Sequence, residues 1–560
     1  MKKKVLSLAI CAILGLSCMA TAACGSGGGN DDDENSTKSV LYVSNYAGGF
    51  GKDWMDEIER RFEEKYAKTS FEANKVGVDI KVTHNKTLGS AYYDKVESVK
   101  QEVFFVEDVD YYQWANSGKM LDISDAVNSV NSEDGKTIAS KMEQEEKDFY
   151  AVNGKYYAIP HHDHQAGIIY DIDLFEQEGY YFAKNGAPSE KAYTGTVKFT
   201  DGDNRSAGPD GEHGTPDDGL PATYDEFYTL CNHIATSKSA TGKTIYPMIW
   251  SGQNRKDYVD WLLAELTADY EGAEQLRLNY TFDGVAKNLV SVDNAGNVTR
   301  LGDKKINTEN GYLMYQTEGR LKALDFVDHI VDSVTSDVKW GDVLFGSDSQ
   351  TVAQDKYVYG AAGINGTRYA FLVDGTWWKN EAADTFKNAS RRTAGLYSED
   401  TMRFGLLPLP KATSDKIGEP FTLATTEVTV GFVKSNIKAS KTELAKTFMK
   451  FVYADEQLAA FNTVSGMPAS LSYTLSDAQY AELTSYEKSL YDVKDNAVLP
   501  YSTNPVYINN YKSLMLKSTF TAKGKQAVES LRETSAINHF KLLYSASGRN
   551  EISWKSLLAK

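Results

Sequence analysis

Adjacent tryptophans, Trp377 and Trp378, close the stretch AFLVDGTWW (370–378), and an acidic pair, Glu107 and Asp108, follows the apolar run VFFV (103–106). Both pairs stand just past the end of a predicted strand. Open α/β sheets hold their ligands outside the carboxyl ends of strands, so these four side chains are candidates to meet a small molecule. The chemistry they offer is recognition of a polyhydroxylated ligand. Carboxylates accept from hydroxyls, and indole planes cover apolar C–H faces. Two successive tryptophans cannot both face a core if the chain stays extended, so one is expected to point into a cleft. Asp108 can instead cap the helix predicted to follow it. The same strand-end logic singles out Trp250, which ends YPMIW, and Asn45, Tyr46 and Trp54, which flank the glycine-rich loop at 48–51. Trp54 also lies on the apolar face of its helix, where core packing competes. Arg368 is either a cleft donor or a solvated loop residue.

Two segments have the composition of metal sites. In HHDHQ (161–165), His161, Asp163 and His164 are close enough in sequence to share an ion, but zinc takes three or four ligands and no second His-rich segment exists. In DGDNRSAGPDGEHGTPDDGLP (201–221), Asp201, Asp203, Asp210, Glu212, Asp217 and Asp218 supply the hard oxygens that calcium prefers. Glu212 is twelfth from Asp201, as in an EF-hand count, yet Arg205 and Ser206 break positions five and six. An irregular structural calcium loop and a solvated acidic loop both remain open, and no cofactor is required. Catalytic signatures are missing: there is no HExxH and no G-x-S-x-G, and ATGKT (240–244) has Ser237 where a phosphate loop needs glycine. A non-enzymatic binder is therefore expected. The rivals are a secreted glycan-active enzyme and a binder of a non-sugar ligand such as a peptide.

The amino terminus bears on compartment. Lys2, Lys3 and Lys4 precede an apolar stretch ending in small residues, which reads as a secretory signal over 1–23. TAAC (21–24) resembles a bacterial lipobox, with Thr21 in place of the usual leucine, and makes Cys24 the lipidated residue. Residues 24–38, rich in Gly and acids, read as a flexible tether. Loss of 1–23 removes three lysines and no acids, taking the formal charge from −17 to −20. So acidic a chain is a poor partner for nucleic acid, and no second apolar run is long enough to span a membrane. Of the four cysteines, Cys11 and Cys18 leave with the signal, so Cys231 has no disulfide partner and reads as a small buried hydrophobe.

The elements that must position these residues alternate. The strand at 40–43, a helix from Asp53 with Trp54, Ile58, Phe62 and Tyr66 four apart, the strand VDIKVTHN (78–85), a helical stretch at 91–99 and the strand VFFVEDV (103–109) give the order of a parallel α/β sheet. Helices are expected near 223–237, 257–271, 315–335 and 444–462.

Taken in order, YVSNYAGGFGKDWM (42–55), VFFVEDVDYYQWANSGKMLDISD (103–125), GKYYAIPHHDHQAGIIYDIDLFEQEGY (154–180), LPATYDEFYTLCNHI (220–234), YPMIWSG (246–252), AFLVDGTWWKNEA (370–382), FGLLPLPKA (404–412) and ELAKTFMKFVYADEQLAAFNTVSGMPAS (443–470) resemble the extracellular solute-binding proteins of sugar ABC importers, the large family that includes maltose-binding proteins. The resemblance implies a two-lobed α/β fold with a hinge and an interlobe ligand cleft. It implies one lobe from 39–157 plus 428–470 and another from 158–427 plus 471–560. It also implies that Tyr170 lines the cleft, that a tryptophan of the 377–378 pair stacks on a sugar ring, and that His162 or Asp163 bonds sugar hydroxyls beside it. The implied role is capture of extracellular carbohydrate, with the chain's aromatic wealth (35 Tyr, 8 Trp, 23 Phe) favouring an oligosaccharide. Its implied partners are ABC permease subunits, with the chain a monomer held to the outer face of the cell membrane by its lipid.

Overall fold

The computed structural model describes residues 36–559 apart from 241, 336–339, 342–344, 495–496, 499–502, 511–513 and 546–547. The signal, Cys24 and most of the tether lie outside the described residues. Nine strands build two sheets. They are β1 (Ser39–Tyr46), β2 (Val78–Asn85), β3 (Val103–Val106), β4 (Ala158–Pro160), β5 (Ala166–Asp171), β6 (Thr244–Ile249), β7 (Thr367–Gly375), β8 (Phe404–Leu406) and β9 (Val430–Val433). The helices that matter below are α1 (Asp53–Lys65), α2 (Tyr224–Thr236), α3 (Arg255–Thr281), α4 (Glu318–Thr335), α5 (Thr442–Val452) and α6 (Asp455–Ser465).

The first sheet has the order β2-β1-β3-β9-β4. β1 runs parallel to β2 and β3, whereas β9 is antiparallel to both β3 and β4. The predicted strand–helix–strand start is present. β1 and β3 are buried almost throughout, as strands covered on both faces are. α1 buries Trp54, Ile58 and Phe62, the residues spaced by four, and carries Asp53 and Asp56 in its first turn with Lys65 in its last. The helix expected at 91–99 is absent as such. A turn of 3₁₀ helix over Gly89–Tyr92 runs into further turns, with Tyr92 and Val96 buried. The β-branched Val96 and Val99 and the short polar Ser90, Asp94 and Ser98 weaken a continuous helix there. The helix expected over 444–462 is two helices, α5 and α6, broken at Tyr453 and Ala454.

The second sheet has the order β6-β7-β5-β8, with β6 parallel to β7 and β5 antiparallel to both β7 and β8. α2, α3 and α4 pack on it through Phe227, Leu262, Leu266 and Phe326, which share one buried cluster with Phe371. α3 is interrupted at Gly272, where φ is +71°, a value open to glycine without cost.

Three segments join the two lobes side by side. His161 N donates to Thr429 O at 3.1 Å and Thr426 N to His164 O at 2.9 Å, and Ser470 N donates to His161 O at 3.2 Å. The hinge therefore consists of 161–165, 425–429 and the chain near Ala469 and Ser470. This moves the first lobe boundary. Ala158–Pro160 pairs with β9 in the first sheet, so the crossing follows Pro160 and not residue 157. The tail also divides. Leu471, Tyr473 and Leu475 share the core of the first sheet, Tyr486 and Leu490 pack with Phe404 and Leu406 of β8, and Phe520 to Leu543 joins the core of the second sheet. Residues 471–560 are therefore not a simple extension of the second lobe.

Candidate functional site

A cavity of about 330 Å³ lies between the lobes. Its first wall comes from the ends of β1 and β3, which carry Tyr46, Gly49, Glu107 and Asp108. Its second comes from the first turns of α3, the turn after β7, and Lys517 in the tail. It is at the small end of ligand pockets, which run from about 300 to 1,000 Å³. The strand ends thus bring Tyr46, Glu107, Asp108 and Trp377 to one cavity.

Trp377 leaves β7 as the chain turns helical, with φ −84° and ψ −18°. That turn, not an extended chain, separates the two tryptophans. Trp377 borders the cavity, stacked on His164 with ring centroids 4.0 Å apart and edge-on to Trp261 at 5.3 Å. Trp378 points the other way, into a core of Tyr357, Phe386, Phe404 and Tyr486, so its expected place in the cleft is corrected.

Glu107 receives the Tyr46 hydroxyl. Burial, reinforced by Glu381 and Asp108, pushes its carboxyl up to about 8. Asp108 adopts φ +58°, a left-handed backbone that costs an ordinary residue about 1–3 kcal/mol and clusters at functional sites. It takes a hydrogen bond from the Ser90 hydroxyl and does not cap the next helix, whose N-cap is Asp110. Gly49 is held close to both walls. A Cβ there would lie 3.1 Å from Glu107 Oε2 and 3.6 Å from Trp377 Cβ. Across the cleft mouth, Asn380 Nδ2 donates to Gly49 O at 3.2 Å and to Ser465 O at 3.0 Å, tying the second lobe to the first.

The rest of the cavity comes from residues that sequence reasoning passed over. Asn254, Asp257, Tyr258 and Trp261 line it from one face of α3, and their spacing of three, four and seven is the signal that would have found them. Lys517 pairs with Glu427, and its Nζ lies 5.5 Å from the centre of the Trp261 ring. Burial pulls the Lys517 ammonium down to about 8, against the attraction of Asp108, Asp257 and Glu107. Gln354 Nε2 donates to Glu381 Oε2 at 2.9 Å and to Asp374 Oδ2 at 3.0 Å, and burial raises both carboxyls.

Other expected residues lie elsewhere. Tyr170 is buried against Phe175 within the second lobe, and Trp250 is buried in the same core. Trp54 packs on Phe105, His161 and Phe461. Asn45 supports the glycine loop, its Nδ2 donating to Gly51 O at 2.7 Å. Arg368 sits at the start of β7, the end opposite Trp377, and grips Asp171 at 2.7 and 2.8 Å. His162 and Asp163 belong to the hinge. His162 N donates to Thr429 Oγ1 at 2.9 Å and Ser470 Oγ to Asp163 Oδ1 at 2.9 Å. Burial lowers His161, His162 and His164 and raises Asp163 to about 6.

Among the described residues no group of three or more His, Cys, Asp or Glu is placed to hold a metal ion. The histidines of HHDHQ serve the hinge. In the acidic loop Asp201, Asp203, Asp210 and Glu212 are exposed, and three carboxylates bond their own turn: Asp217 Oδ2 accepts from Asp210 N at 3.1 Å, Asp210 Oδ1 from Glu212 N at 2.7 Å and Asp218 Oδ2 from Gly214 N at 2.8 Å. Among the described residues these six acids, Glu212 included, form no metal-holding group as they stand. Cys231 is buried and burial pushes its thiol up, the condition of an inert thiol. No described helix is long and apolar enough to cross a membrane.

No protein-family model and no curated protein matches the chain. Solved structures do. The SBP RafE in complex with raffinose aligns with a TM-score of 0.51 at 15% identity over 90% of this chain and 98% of that one. A structure described with xylan utilization by the thermophilic bacterium Caldanaerobius polysaccharolyticus aligns at 0.52 and 11% identity over 90% and 98%. The GacH receptor of Streptomyces glaucescens GLA.O, solved unliganded and in complex with acarbose, aligns at 0.50 and 14% identity over 93% and 99%. These proteins share an architecture with this chain along nearly their whole length. The chain has the two-lobed, periplasmic-binding-protein-like α/β fold, and the cavity of aromatic and acidic side chains lies between its lobes.

Proposed function

We propose that this chain is the substrate-binding component of an ABC importer, which captures an extracellular carbohydrate between its lobes and hands it to the membrane permease. The observation that carries this reading is the facing of Glu107 and Asp108, on one lobe, across the interlobe cavity from Trp377 and Trp261 on the other. Carboxylates accept from sugar hydroxyls and indoles cover ring faces, so each lobe supplies half of what a sugar needs. Binding would hold the lobes together, and the closed form is the state a permease can distinguish from the open one. The neighbours named above are described with raffinose, xylan utilization and acarbose, which favours a carbohydrate over a peptide and a binder over a glycan-cleaving enzyme. The signal at 1–23 and Cys24 extend the reading: a monomer lipid-anchored on the outer face of the membrane, its tether leaving the cleft free.

The test is thermal unfolding of residues 38–560 against a panel of oligosaccharides. A ligand at about 100 times its Kd adds roughly 2.7 kcal/mol to the folded state. One glycan class is expected to raise the midpoint by several degrees and to be recovered chemically unchanged. Cleavage products would put the enzyme reading in its place, and a shift with peptides alone would end the carbohydrate reading.

A further inference from the structure

We propose that Gln354 is a positioning residue of the cleft: its one amide staples the turn at 375–381, which carries Trp377 and Glu381 to the cavity, and so presets the second lobe's wall before a sugar arrives. This rests on the carbohydrate reading above and adds to it a residue outside the cavity lining. Gln354 is buried on the helix Gln350–Ala361, one turn after Gln350, which does line the cavity. Its Nε2 donates to Asp374 Oδ2 at 3.0 Å and to Glu381 Oε2 at 2.9 Å. Asp374 precedes the turn near the end of β7, and Glu381 ends it. A single amide therefore binds the residue before the turn to the residue that closes it.

The rest of the turn hangs on those two ends. Gly375 N donates to Asp374 Oδ1 at 2.9 Å, and Glu381 N to Trp377 O at 3.2 Å. A Cβ on Gly375 would fall 2.1, 2.2 and 2.6 Å from three atoms of the Trp377 ring, so the indole folds back against the backbone that Asp374 anchors. Asn380, between the stapled residues, makes the tie across the cleft mouth to Gly49 and Ser465. The amide is also what lets two buried acids share this turn. Burial, then Glu381, hold the Asp374 carboxyl well above its usual range, and burial raises Glu381; the Gln354 N–H bonds draw both back. With that donor gone, like groups confront each other at the two ends of one short turn. A binding wall gains from such support, because each side chain ordered only on binding costs affinity.

The experiment compares the anchor-free chain with its Gln354→Met variant, which keeps the side-chain length and removes its donors. The first readout is hydrogen–deuterium exchange without sugar. Amides at 375–381 are expected to exchange about tenfold faster in the variant, while those of β1 and of β7 at 369–373 keep their rates. The second is calorimetric titration with maltotriose, cellotriose and xylotriose. Any of them that binds the parent is expected to bind the variant about tenfold more weakly. Unchanged exchange at 375–381 overturns the inference. Faster exchange throughout the second lobe overturns it as well, since Gln354 would then support the fold at large. So does a loosened turn with unchanged affinity, because the turn would then not carry the ligand. If no trisaccharide binds the parent, it is the carbohydrate reading that loses support, and the exchange rates still decide whether Gln354 sets the turn. Gln354→Asn, which keeps the amide but is one methylene too short to span both carboxyls, repeats the test if Gln354→Met folds poorly.

Discussion

Trp377→Ala is expected to lower ligand affinity at least tenfold, and Trp378→Ala to leave affinity within about threefold while destabilising the fold by ~3–5 kcal/mol. The two residues are neighbours in sequence and divide the labour between them. Trp378 is 1% exposed and enclosed by Tyr357, Phe386, Phe404 and Tyr486, so truncating it opens a cavity within the second lobe that its neighbours cannot fill. Trp377 borders the interlobe cavity, and its loss enlarges a space that water can enter. Aromatic anchors at binding surfaces are worth ~2 kcal/mol or more, which sets the expected loss of affinity. Parallel melts and titrations of the two variants check this. Equal effects on binding would mean that the cavity beside Trp377 is not where the ligand sits.

Glu107→Gln is expected to stabilise the empty protein at pH 8 while weakening binding by roughly tenfold or more. Burial, with Glu381 and Asp108 nearby and Lys517 in partial opposition, holds this carboxyl near 8, against an ordinary value of 4.5. Between those values the folded chain keeps a proton that the unfolded chain has lost. Its contribution to stability is therefore complete below about pH 4.5 and falls away as pH rises towards about 8. The amide does not titrate, so the variant should melt with the parent at pH 5 and above it at pH 8, by more than ~1 kcal/mol, one pKa unit being about 1.4 kcal/mol. Binding moves the other way, because a hydrogen bond to a charged group is worth ~1.5–3 kcal/mol. Melting curves at the two pH values and one titration check both halves. A variant that loses stability at pH 8 would show that Glu107 supports the fold and not the ligand.

Position along the chain was legible where the site depends on where a strand ends, and illegible where it depends on which way a side chain turns. Tyr46, Glu107, Asp108 and Trp377 follow strands whose apolar runs are plain in the sequence, and all four reach the cavity. Tyr170 and Trp250 also lie at strand ends, yet both face inward, because each packs against the helices covering the second sheet. Arg368 begins the strand that Trp377 follows, so the strand-end rule itself puts it at the end away from the cleft, where it grips Asp171. Asp257, Tyr258 and Trp261 went unseen because α3 is buried on most of its surface, so no polar stripe marks the side it turns to the cleft. Lys517 comes from the tail, whose path back between the lobes depends on tertiary packing alone. HHDHQ looked like metal chemistry because close histidines are common to metal sites. Here their backbones pair with 425–429 and their rings fill the hinge.

Hydrogen–deuterium exchange with and without the glycan found by the unfolding panel tests the central claim most directly. A ligand held between the lobes should protect the glycine loop at 47–51, the start of α3 at 254–261, the turn at 376–381 and the hinge at 425–429 together, because closure buries all four at once. Protection confined to one face of the second lobe, such as the open depression beside Gly179, Phe199 and His233, would contradict the account, since no ligand bound there could draw the two lobes together.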